Sequence, residues 1–228
     1  MEGLDGSGKR TQSKLLAQSL KKKGFPVLEI SFPDYKSDSS ALVKMYLGGK
    51  FGTRPDDVNA YAASLFYAVD RFSSYKEWGD YYQAGGIVIA DRYTTSNAVH
   101  QCSKLPEECW EGYLDWLFDT EYVKMGIPSP DEVLYLDVDV SIGQQLLTGR
   151  YDGNDAYKDI HEKDRGYLER SRKAAAYCVR RYGWKHISCV NNGTMRSVQE
   201  IHTELLKELG YYVTMHQNYK TTREKMKQ

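Results

Sequence analysis

A run of glycines followed by a lysine stands at the start of the chain. Gly3, Gly8 and Lys9 fall on the fixed positions of the pattern G-x-x-x-x-G-K, with Gly6 and Ser7 between them, and a helical pattern follows at once. Such glycines let successive backbone N–H groups turn toward one anion, and the helix that follows adds positive potential at its amino terminus. A lysine in this place reaches the β and γ phosphates of a nucleotide. We therefore expect a nucleoside triphosphate site rather than a glycine-rich turn without a ligand.

The position after Lys9 departs from this pattern. Ser or Thr normally supplies a hydroxyl group to Mg²⁺ there, but this chain has Arg10, and Thr11 comes one residue later. Two interpretations are open. Arg10 adds a phosphate clamp while water or Thr11 completes the metal shell, or the loop binds nucleotide and transfers phosphate poorly. We favour the first, because residues suited to a phosphate acceptor also occur in the chain. The expected ligands of this loop are a nucleoside triphosphate and Mg²⁺.

A second polar group follows the apolar run at residues 86–90. It begins with Asp91 and Arg92. Charged residues at the carboxyl end of a buried strand lie where open α/β sheets bind their ligands. Asp91 could orient Mg²⁺ or its waters, and Arg92 could form paired hydrogen bonds with a phosphate. An ordinary Asp–Arg surface pair is the alternative, and the phosphate loop in the same chain makes it less favoured.

The elements that must hold these residues alternate along the chain. Buried strands are predicted at residues 27–32, 86–90, 132–138 and 186–190, and helices at residues 11–23, 56–82, 164–182 and 197–209. This alternation predicts an α/β fold of the P-loop type, in which helices flank both faces of a parallel sheet, as one domain over residues 1–228. The chain begins almost inside the phosphate loop, so the strand that should lead into the loop is expected to be truncated.

Composition limits the classes of function. Lys plus Arg and Asp plus Glu each number 31, so the net charge is zero and no overall field attracts nucleic acid. No stretch approaches the roughly 18 apolar residues of a membrane span, and a signal-peptide pattern is missing, which favours a cytoplasmic protein without membrane contact. The four cysteines form no CxxC pair, and the five histidines lack metal-ligand spacing.

Several segments together resemble the thymidylate kinase family. They are the EGLDGSGKxTQ start, Phe32-Pro33-Asp34, Phe66 with Arg71, the DRYxxSxAxxQ segment from Asp91, and Pro130-Asp131 before the Leu134-Tyr135-Leu136-Asp137 run. The segments cover most of the chain in order. The resemblance implies a five-stranded parallel sheet, a homodimer, and transfer of phosphate from ATP to dTMP. Two alternatives stay open, namely a kinase for another deoxynucleotide and a nucleotide-binding relative without catalysis.

The resemblance also implies roles for individual residues. Asp5 resembles the carboxylate that contacts the 3′-hydroxyl of the acceptor sugar, Phe66 the ring that stacks on thymine, and Arg71 the guanidinium that binds its carbonyl. Taken alone, Phe66 would be a core aromatic and Arg71 a solvated cation. The remaining residues expected at the acceptor are the phosphate clamp and its polar surroundings: Pro33, Arg92, Tyr93, Ser96 and Gln101.

The resemblance also implies a mobile lid, which we expect over residues 150–165. Family members that lack an arginine beside the loop aspartate supply a catalytic arginine from the lid, and Gly6 occupies that loop position here. Arg150, Lys158 and Arg165 are the candidate cations, and Arg150 is the predicted catalytic residue. The segment reads KDIHE in place of the family's DRxE, so the acting residue stays open, and Arg10 is an alternative. A charged surface loop is the competing interpretation.

Overall fold

The computed structural model describes residues 1–150, 152, 154 and 158–210, without the side chain of Arg150. The strands are β1 Glu2–Gly3, β2 Val27–Ser31, β3 Ile87–Asp91, β4 Leu134–Asp137, β5 Lys185–Ser188, β6 Val190–Asn191 and β7 Thr194–Met195. The helices are α1 Lys9–Lys22, α2 Ala41–Leu47, α3 Ala60–Gln83, α4 Thr94–His100, α5 Trp110–Phe118, α6 Val140–Arg150, α7 Ile160–Lys163, α8 Arg165–Tyr182 and α9 Val198–Glu208.

Strands β1 to β5 pair in parallel, as the alternation of strands and helices predicts. β1, β4 and β5 form a three-stranded sheet in the order β1-β4-β5, and β2 pairs with β3 in a two-stranded sheet. β6 and β7 form a short antiparallel hairpin. The described residues thus confirm an α/β fold with parallel sheets.

The five-stranded sheet implied by the resemblance is not confirmed, because the strands divide into two sheets at β1. β1 contains only two residues and pairs with β4 alone. Residue Met1 connects the two sheets. Its amino group donates to the carbonyl oxygen of Ala90 at 2.8 Å, and its own carbonyl oxygen accepts from the backbone N–H of Arg92 at 3.1 Å.

Alternate residues of β4 bury into separate cores on the two sides of the sheet. Leu134 and Leu136 pack with apolar residues of α1, β5 and α9. Tyr135 lies in the other core, with residues of α4, α5 and α8. Because successive side chains of a strand point to opposite faces, helices cover both sides, as predicted.

The predicted elements match the observed ones to within a few residues, with one larger difference at helix α3. The predicted helix 56–82 is interrupted, because Pro55–Asp57 forms a separate 3₁₀ turn. The Asn59 side chain then accepts a hydrogen bond from the N–H of Ala62 and caps the amino end of α3. Within the described part of the chain, no helix is long and apolar enough to cross a membrane.

Candidate active site

A cavity of about 1280 Å³ lies at the carboxyl ends of the central strands. Six segments line it: the phosphate loop with the start of α1, β2 with the loop after it, the end of α2, one side of α3, β3 with the start of α4, and the segment around α7. The fold brings these segments together because parallel strands direct their carboxyl ends toward one edge of the sheet. The phosphate loop and the Asp91–Arg92 pair, predicted independently, therefore face one space.

The phosphate loop owes its shape to glycine. Gly6 and Gly8 have φ values of 83° and 84°, a region that side chains with a Cβ atom rarely adopt. A Cβ atom on Gly6 would also collide with the backbone of Gly143 in α6. The loop closes through a 3.1 Å hydrogen bond from the N–H of Ser7 to the carbonyl oxygen of Leu4, and α1 begins directly at Lys9. Gly3 and Ser7 shape this loop without lining the cavity.

Lys9 extends into the loop and is only 7% exposed. Its Nζ donates to the carbonyl oxygen of Leu4 at 2.8 Å. Burial lowers the pKa of Lys9 to about 8, and the nearby Arg92 cation acts in the same direction. A bound polyphosphate would offset both effects, so the site is electrostatically suited to a strongly anionic ligand.

Arg92 lies at the centre of the site and adopts a left-handed backbone conformation, with φ of 68°. Such strain in a residue other than glycine is typical of functional sites. Its guanidinium donates to Asp5 Oδ1 at 2.5 Å and to Ser96 Oγ at 3.3 Å, and lies 3.1 Å from His100 Nε2. Burial lowers the pKa of His100 to about 3, so the ring is neutral beside the Arg92 cation.

Two carboxylates near the start of the chain, those of Asp5 and Glu2, lie next to the Arg92 guanidinium. Burial alone would raise the pKa of Asp5, but Arg92 and Lys9 outweigh burial and hold the pKa well below its ordinary value. Glu2 is completely buried and lies 3.9 Å from Arg92. Glu2 also accepts hydrogen bonds from Thr95 at 3.0 Å and Ser96 at 2.7 Å, and thereby joins the phosphate loop to α4. Sequence analysis gave Glu2 no role of its own.

One side of α3 forms a wall of the cavity. Tyr67 and Arg71 line the cavity, as Ser74 and Trp78 do further along. Phe66, the predicted stacking ring, does not. Its ring contacts Tyr46 and Phe51, with centroid distances of 6.3 and 5.6 Å. Residues four apart share one side of a helix, so the spacing between Tyr67 and Arg71 was the signal that could have found Tyr67.

The other predicted acceptor residues meet in this cavity. Pro33 follows a cis peptide bond after Phe32 and lines the cavity, as Tyr93 does. The Tyr93 hydroxyl donates to the carbonyl oxygen of Pro128 at 2.9 Å. Gln101 is 1% exposed, and within the described residues its side-chain oxygen has no hydrogen-bond partner. A ligand in the cavity would give that oxygen a donor.

Of the predicted lid cations, two lie away from the cavity, and the side chain of the third is not described. The buried Nζ of Lys158 donates to Gln144 at 3.1 Å and Thr148 at 3.3 Å, both on α6. Arg165 is 72% exposed, and its Nε lies 3.9 Å from Glu169 on the next turn. The side chain of Arg150 is not described, and neither are lid residues 151, 153 and 155–157.

The part of the lid that does face the cavity carries Asp159, His161 and Glu162. The Asp159 carboxylate caps α7 by accepting from the N–H groups of His161 and Glu162 at 2.8 and 2.9 Å. Burial, followed by repulsion from Asp5, raises the pKa of Asp159 to about 7. The sequence showed these residues as part of the KDIHE segment but assigned them no role, because their role depends on the folding of the lid against the distant phosphate loop.

Arg10, Thr11 and Asp91 all line the cavity next to Lys9. Within the described residues, no group of three acidic, histidine or cysteine side chains could hold a metal ion by itself. One hydroxyl and one carboxylate nevertheless fit Mg²⁺, which usually takes one or two protein oxygens and completes its shell with phosphates and water. Arg10 is exposed and donates only, so it fits a phosphate and not the metal.

A phosphate loop at the end of a parallel strand, facing an arginine-lined pocket at the next strand end, defines a P-loop phosphotransferase. The chain belongs to the thymidylate kinase family, whose family model, described as "Thymidylate kinase", matches residues 1–205. It is 28% identical over 173 residues to thymidylate kinase from Mycobacterium tuberculosis, covering 75% of this chain and 80% of that protein. It is 31% identical over 179 residues to a probable thymidylate kinase from Methanothermobacter thermautotrophicus, covering 78% and 82%.

The fold agrees with this membership. A solved structure of thymidylate kinase from Candida albicans superimposes with a TM-score of 0.67 over 92% of this chain and 89% of that one, at 19% sequence identity.

Proposed function

We propose that this protein transfers the γ-phosphoryl group of ATP to dTMP and forms dTDP. The observation that carries the proposal is that the Lys9 phosphate loop, Arg92 and the Tyr67–Arg71 pair of α3 all line one cavity. Lys9 and the loop suit a triphosphate, Arg92 suits the phosphate of a monophosphate, and Tyr67 and Arg71 suit a planar base with a carbonyl group. Membership in the thymidylate kinase family supports thymine as that base.

Catalysis in this arrangement rests on positioning and charge. An oxygen of the acceptor phosphate attacks the γ-phosphorus, and the bond from that phosphorus to the β-bridging oxygen breaks, releasing ADP. The attacking oxygen is already an anion, so no general base is needed. Lys9 and Arg10 offset charge on the donor side, Arg92 holds the acceptor, and Asp5 holds Arg92 in place through the 2.5 Å ion pair.

Mg²⁺, when bound, would neutralise charge on the β and γ phosphates, with Thr11 and Asp91 as its protein oxygens. The proposal of ATP and Mg²⁺ as cofactors rests on family membership and on these donors in the cavity.

Replacing Arg10 with serine separates the two interpretations of this residue. The serine supplies a hydroxyl group for Mg²⁺ and removes a cation from the triphosphate, so we expect tighter Mg²⁺ binding with kcat unchanged or lower. If Arg10 instead marks a weakened site, kcat should rise about tenfold, which corresponds to roughly 1.4 kcal/mol of transition-state stabilisation. Measuring kcat as a function of Mg²⁺ concentration for wild type and Arg10→Ser decides between the two interpretations. A higher kcat of the serine variant at saturating Mg²⁺ would contradict the phosphate clamp.

Tyr67 and Phe66 offer a matched pair of variants at the acceptor wall. Tyr67→Ala should raise the KM for dTMP tenfold or more, because loss of a stacked ring costs about 1 to 3 kcal/mol per base. Phe66→Ala should lower the melting temperature, since its ring packs on Tyr46 and Phe51, but leave KM within about threefold. Steady-state kinetics on both variants checks this. The reverse pattern would return the stacking role to Phe66.

A panel of acceptors tests the substrate. With ATP and Mg²⁺, we expect kcat/KM for dTMP to exceed that for dCMP, dAMP and dGMP by at least about a hundredfold. A preference for another deoxynucleotide would support the first alternative, a kinase for that nucleotide. Nucleotide binding without turnover of any acceptor would support the second, a relative without catalysis.

An exposed apolar stripe on α3 suggests how two copies of the chain could associate. Tyr61, Leu65 and Val69 are 41, 44 and 49% exposed and lie four residues apart on one side of α3, an apolar stripe that a second copy of the chain could cover. We propose a homodimer through this stripe, which a monomeric mass in sedimentation equilibrium would contradict.

The Met1 hydrogen bonds support the further proposal that the two parallel sheets form one five-stranded layer in a single domain. A cytoplasmic location stays a prediction that cell fractionation tests.

A further inference from the structure

Arg71 does not approach the cavity as an isolated cation. It is 1% exposed and forms a paired contact with Glu121, which is fully buried. Arg71 Nε donates to Glu121 Oε2 and Arg71 Nη2 to Glu121 Oε1, both at 2.6 Å. Burial alone would lower the pKa of Arg71, but Glu121 outweighs burial and the net shift is upward. The guanidinium is therefore charged, neutralised by its partner, and fixed in plane by two parallel hydrogen bonds.

A π-helical stretch of backbone and a hydrogen bond from Thr94 fix the position of Glu121. It lies in the π-helical stretch Asp119–Lys124 that follows α5, and its carbonyl oxygen accepts from the N–H of Ile127 at 3.1 Å. Thr94, at the start of α4, donates through Oγ1 to Glu121 Oε2 at 2.8 Å. π-Helical turns cost stability and occur frequently at functional sites. Here the turn places the carboxylate behind Arg71 while Glu121 stays outside the cavity lining.

The bonds already made decide which donors Arg71 can offer a ligand. A guanidinium has five N–H groups. Glu121 takes the Nε–H and one from Nη2, and the carbonyl oxygen of Tyr93 lies 3.4 Å from Nη1. Among the described residues, one N–H on Nη1 and one on Nη2 have no acceptor, and these two nitrogens form the end of the planar group away from the arginine stem. A pair of donors with no acceptor between them binds a carbonyl oxygen and repels an exocyclic amino group.

We propose that Glu121 is the positioning residue that sets base discrimination, acting through Arg71 so that only a base with a carbonyl in this place is accepted. The proposal rests on the proposed function, since it assigns the Arg71 wall to the acceptor base. Without Glu121, Arg71 keeps its charge but loses its fixed plane, and its freed donors can turn to other acceptors. The expected loss is in acceptor binding and selectivity, not in the phosphate transfer step, because Glu121 approaches neither phosphate loop nor Arg92 in any described hydrogen bond or ion pair.

Glu121→Gln, Arg71→Met and the double variant test this in the full-length protein. Glu121→Gln keeps the size of the side chain and one acceptor oxygen. The matched control is Glu111→Gln on α5, an exposed carboxylate whose ion-pair partner is Arg181. The measurements are the Kd for dTMP by calorimetry, KM and kcat for dTMP, the ratio of kcat/KM for dTMP over dCMP, and the melting temperature.

We expect Glu121→Gln to raise Kd and KM for dTMP tenfold or more, to lower the dTMP preference over dCMP by a similar factor, and to leave kcat within about threefold. Glu111→Gln should change none of these. The double variant should bind dTMP no more weakly than Arg71→Met, because Glu121 acts through Arg71. Arg71→Met leaves Glu121 unpaired, and if that variant fails to fold, the double variant, which lacks both charges, is compared with Glu121→Gln instead. The double variant should then show no preference for dTMP over dCMP.

Unchanged dTMP affinity in a folded Glu121→Gln protein would overturn the proposal. It would also be overturned if the double variant raised the Kd for dTMP by the product of the two single-variant factors. A lower melting temperature with KM, Kd and selectivity unchanged would make the pair a purely structural contact. Wild-type protein that binds dTMP without phosphorylating it would contradict the proposed function, and the calorimetric comparison would still decide the role of Glu121. If wild-type protein neither bound nor phosphorylated dTMP, both proposals would fail.

Discussion

Replacing Lys9 with alanine is expected to abolish measurable phosphate transfer while the protein stays folded. The Lys9 amine is buried in the phosphate loop, and its hydrogen bond goes to the carbonyl oxygen of Leu4. Preorganised cations that meet developing charge contribute most of the catalysis in phosphoryl transfer, so the loss should reach about 10³-fold in kcat, or about 4 kcal/mol. Stability should change by only about 1 kcal/mol, because one buried amine and one hydrogen bond are removed together.

Lys22→Ala is the matched control for this prediction. Lys22 is an exposed lysine in the last turn of the same helix, α1, and does not line the cavity. Initial rates should be lost in Lys9→Ala and unchanged in Lys22→Ala, while thermal melts should show both variants folded. A Lys9→Ala protein with kcat within a few-fold of wild type would contradict the phosphate-loop assignment, whatever its stability.

Arg92→Met is expected to lower kcat/KM for the acceptor by about 10³-fold and to destabilise the protein as well. Methionine keeps the length of the side chain but removes the only guanidinium that contacts Asp5 and approaches Glu2 among the described residues. Breaking a buried ion pair costs about 3 to 5 kcal/mol, and the lower end applies because Asp5 and Arg92 keep some solvent contact. The catalytic loss comes from the missing acceptor clamp.

The stability part of this prediction depends on pH in a defined direction. Asp5 has a depressed pKa in the folded protein, against an ordinary value of 3.8. Its pairing with Arg92 therefore stabilises the fold above pH 3.8, and this contribution is lost as the pH falls toward the folded-state pKa. The stability gap between wild type and Arg92→Met should be widest near neutral pH and should shrink below about pH 4.

Arg172→Met separates the catalytic and structural effects of Arg92. Arg172 forms ion pairs with Asp137 at 3.0 Å and Asp139 at 2.5 Å, outside the cavity lining. This variant should lose stability and keep its acceptor kinetics. If Arg92→Met melted earlier but bound and phosphorylated its acceptor normally, Arg92 would be a structural cation and the acceptor phosphate would bind elsewhere.

Local sequence was sufficient for the features that depend on neighbouring residues. The phosphate loop is contiguous, so spacing alone predicted its glycines and Lys9, and in the structure Gly6 and Gly8 have the positive φ values that such a loop needs. The Asp91–Arg92 pair was placed correctly at a strand end because an apolar run directly precedes it. Parallel strands and helices on two faces followed from the alternation of patterns.

Features that depend on one residue of register or on distant contacts were not predictable in the same way. Phe66 and Tyr67 differ by one position, which is about 100° around a helix, and only packing against α2 and the chain after it decides which ring faces the cavity. Glu121 lies 50 residues from Arg71 in an irregular turn, with no local signal for the pairing. The sheet divides at β1 because Met1 provides only two hydrogen bonds to the neighbouring strand region.

The most direct test of the central claim follows the phosphoryl group itself. Purified protein is incubated with γ-labelled ATP, Mg²⁺ and dTMP, and the products are separated and identified. We predict label in dTDP, one ADP formed for each dTDP, and neither product with Lys9→Ala. Label released as inorganic phosphate, or no label in dTDP at any dTMP concentration, would contradict it.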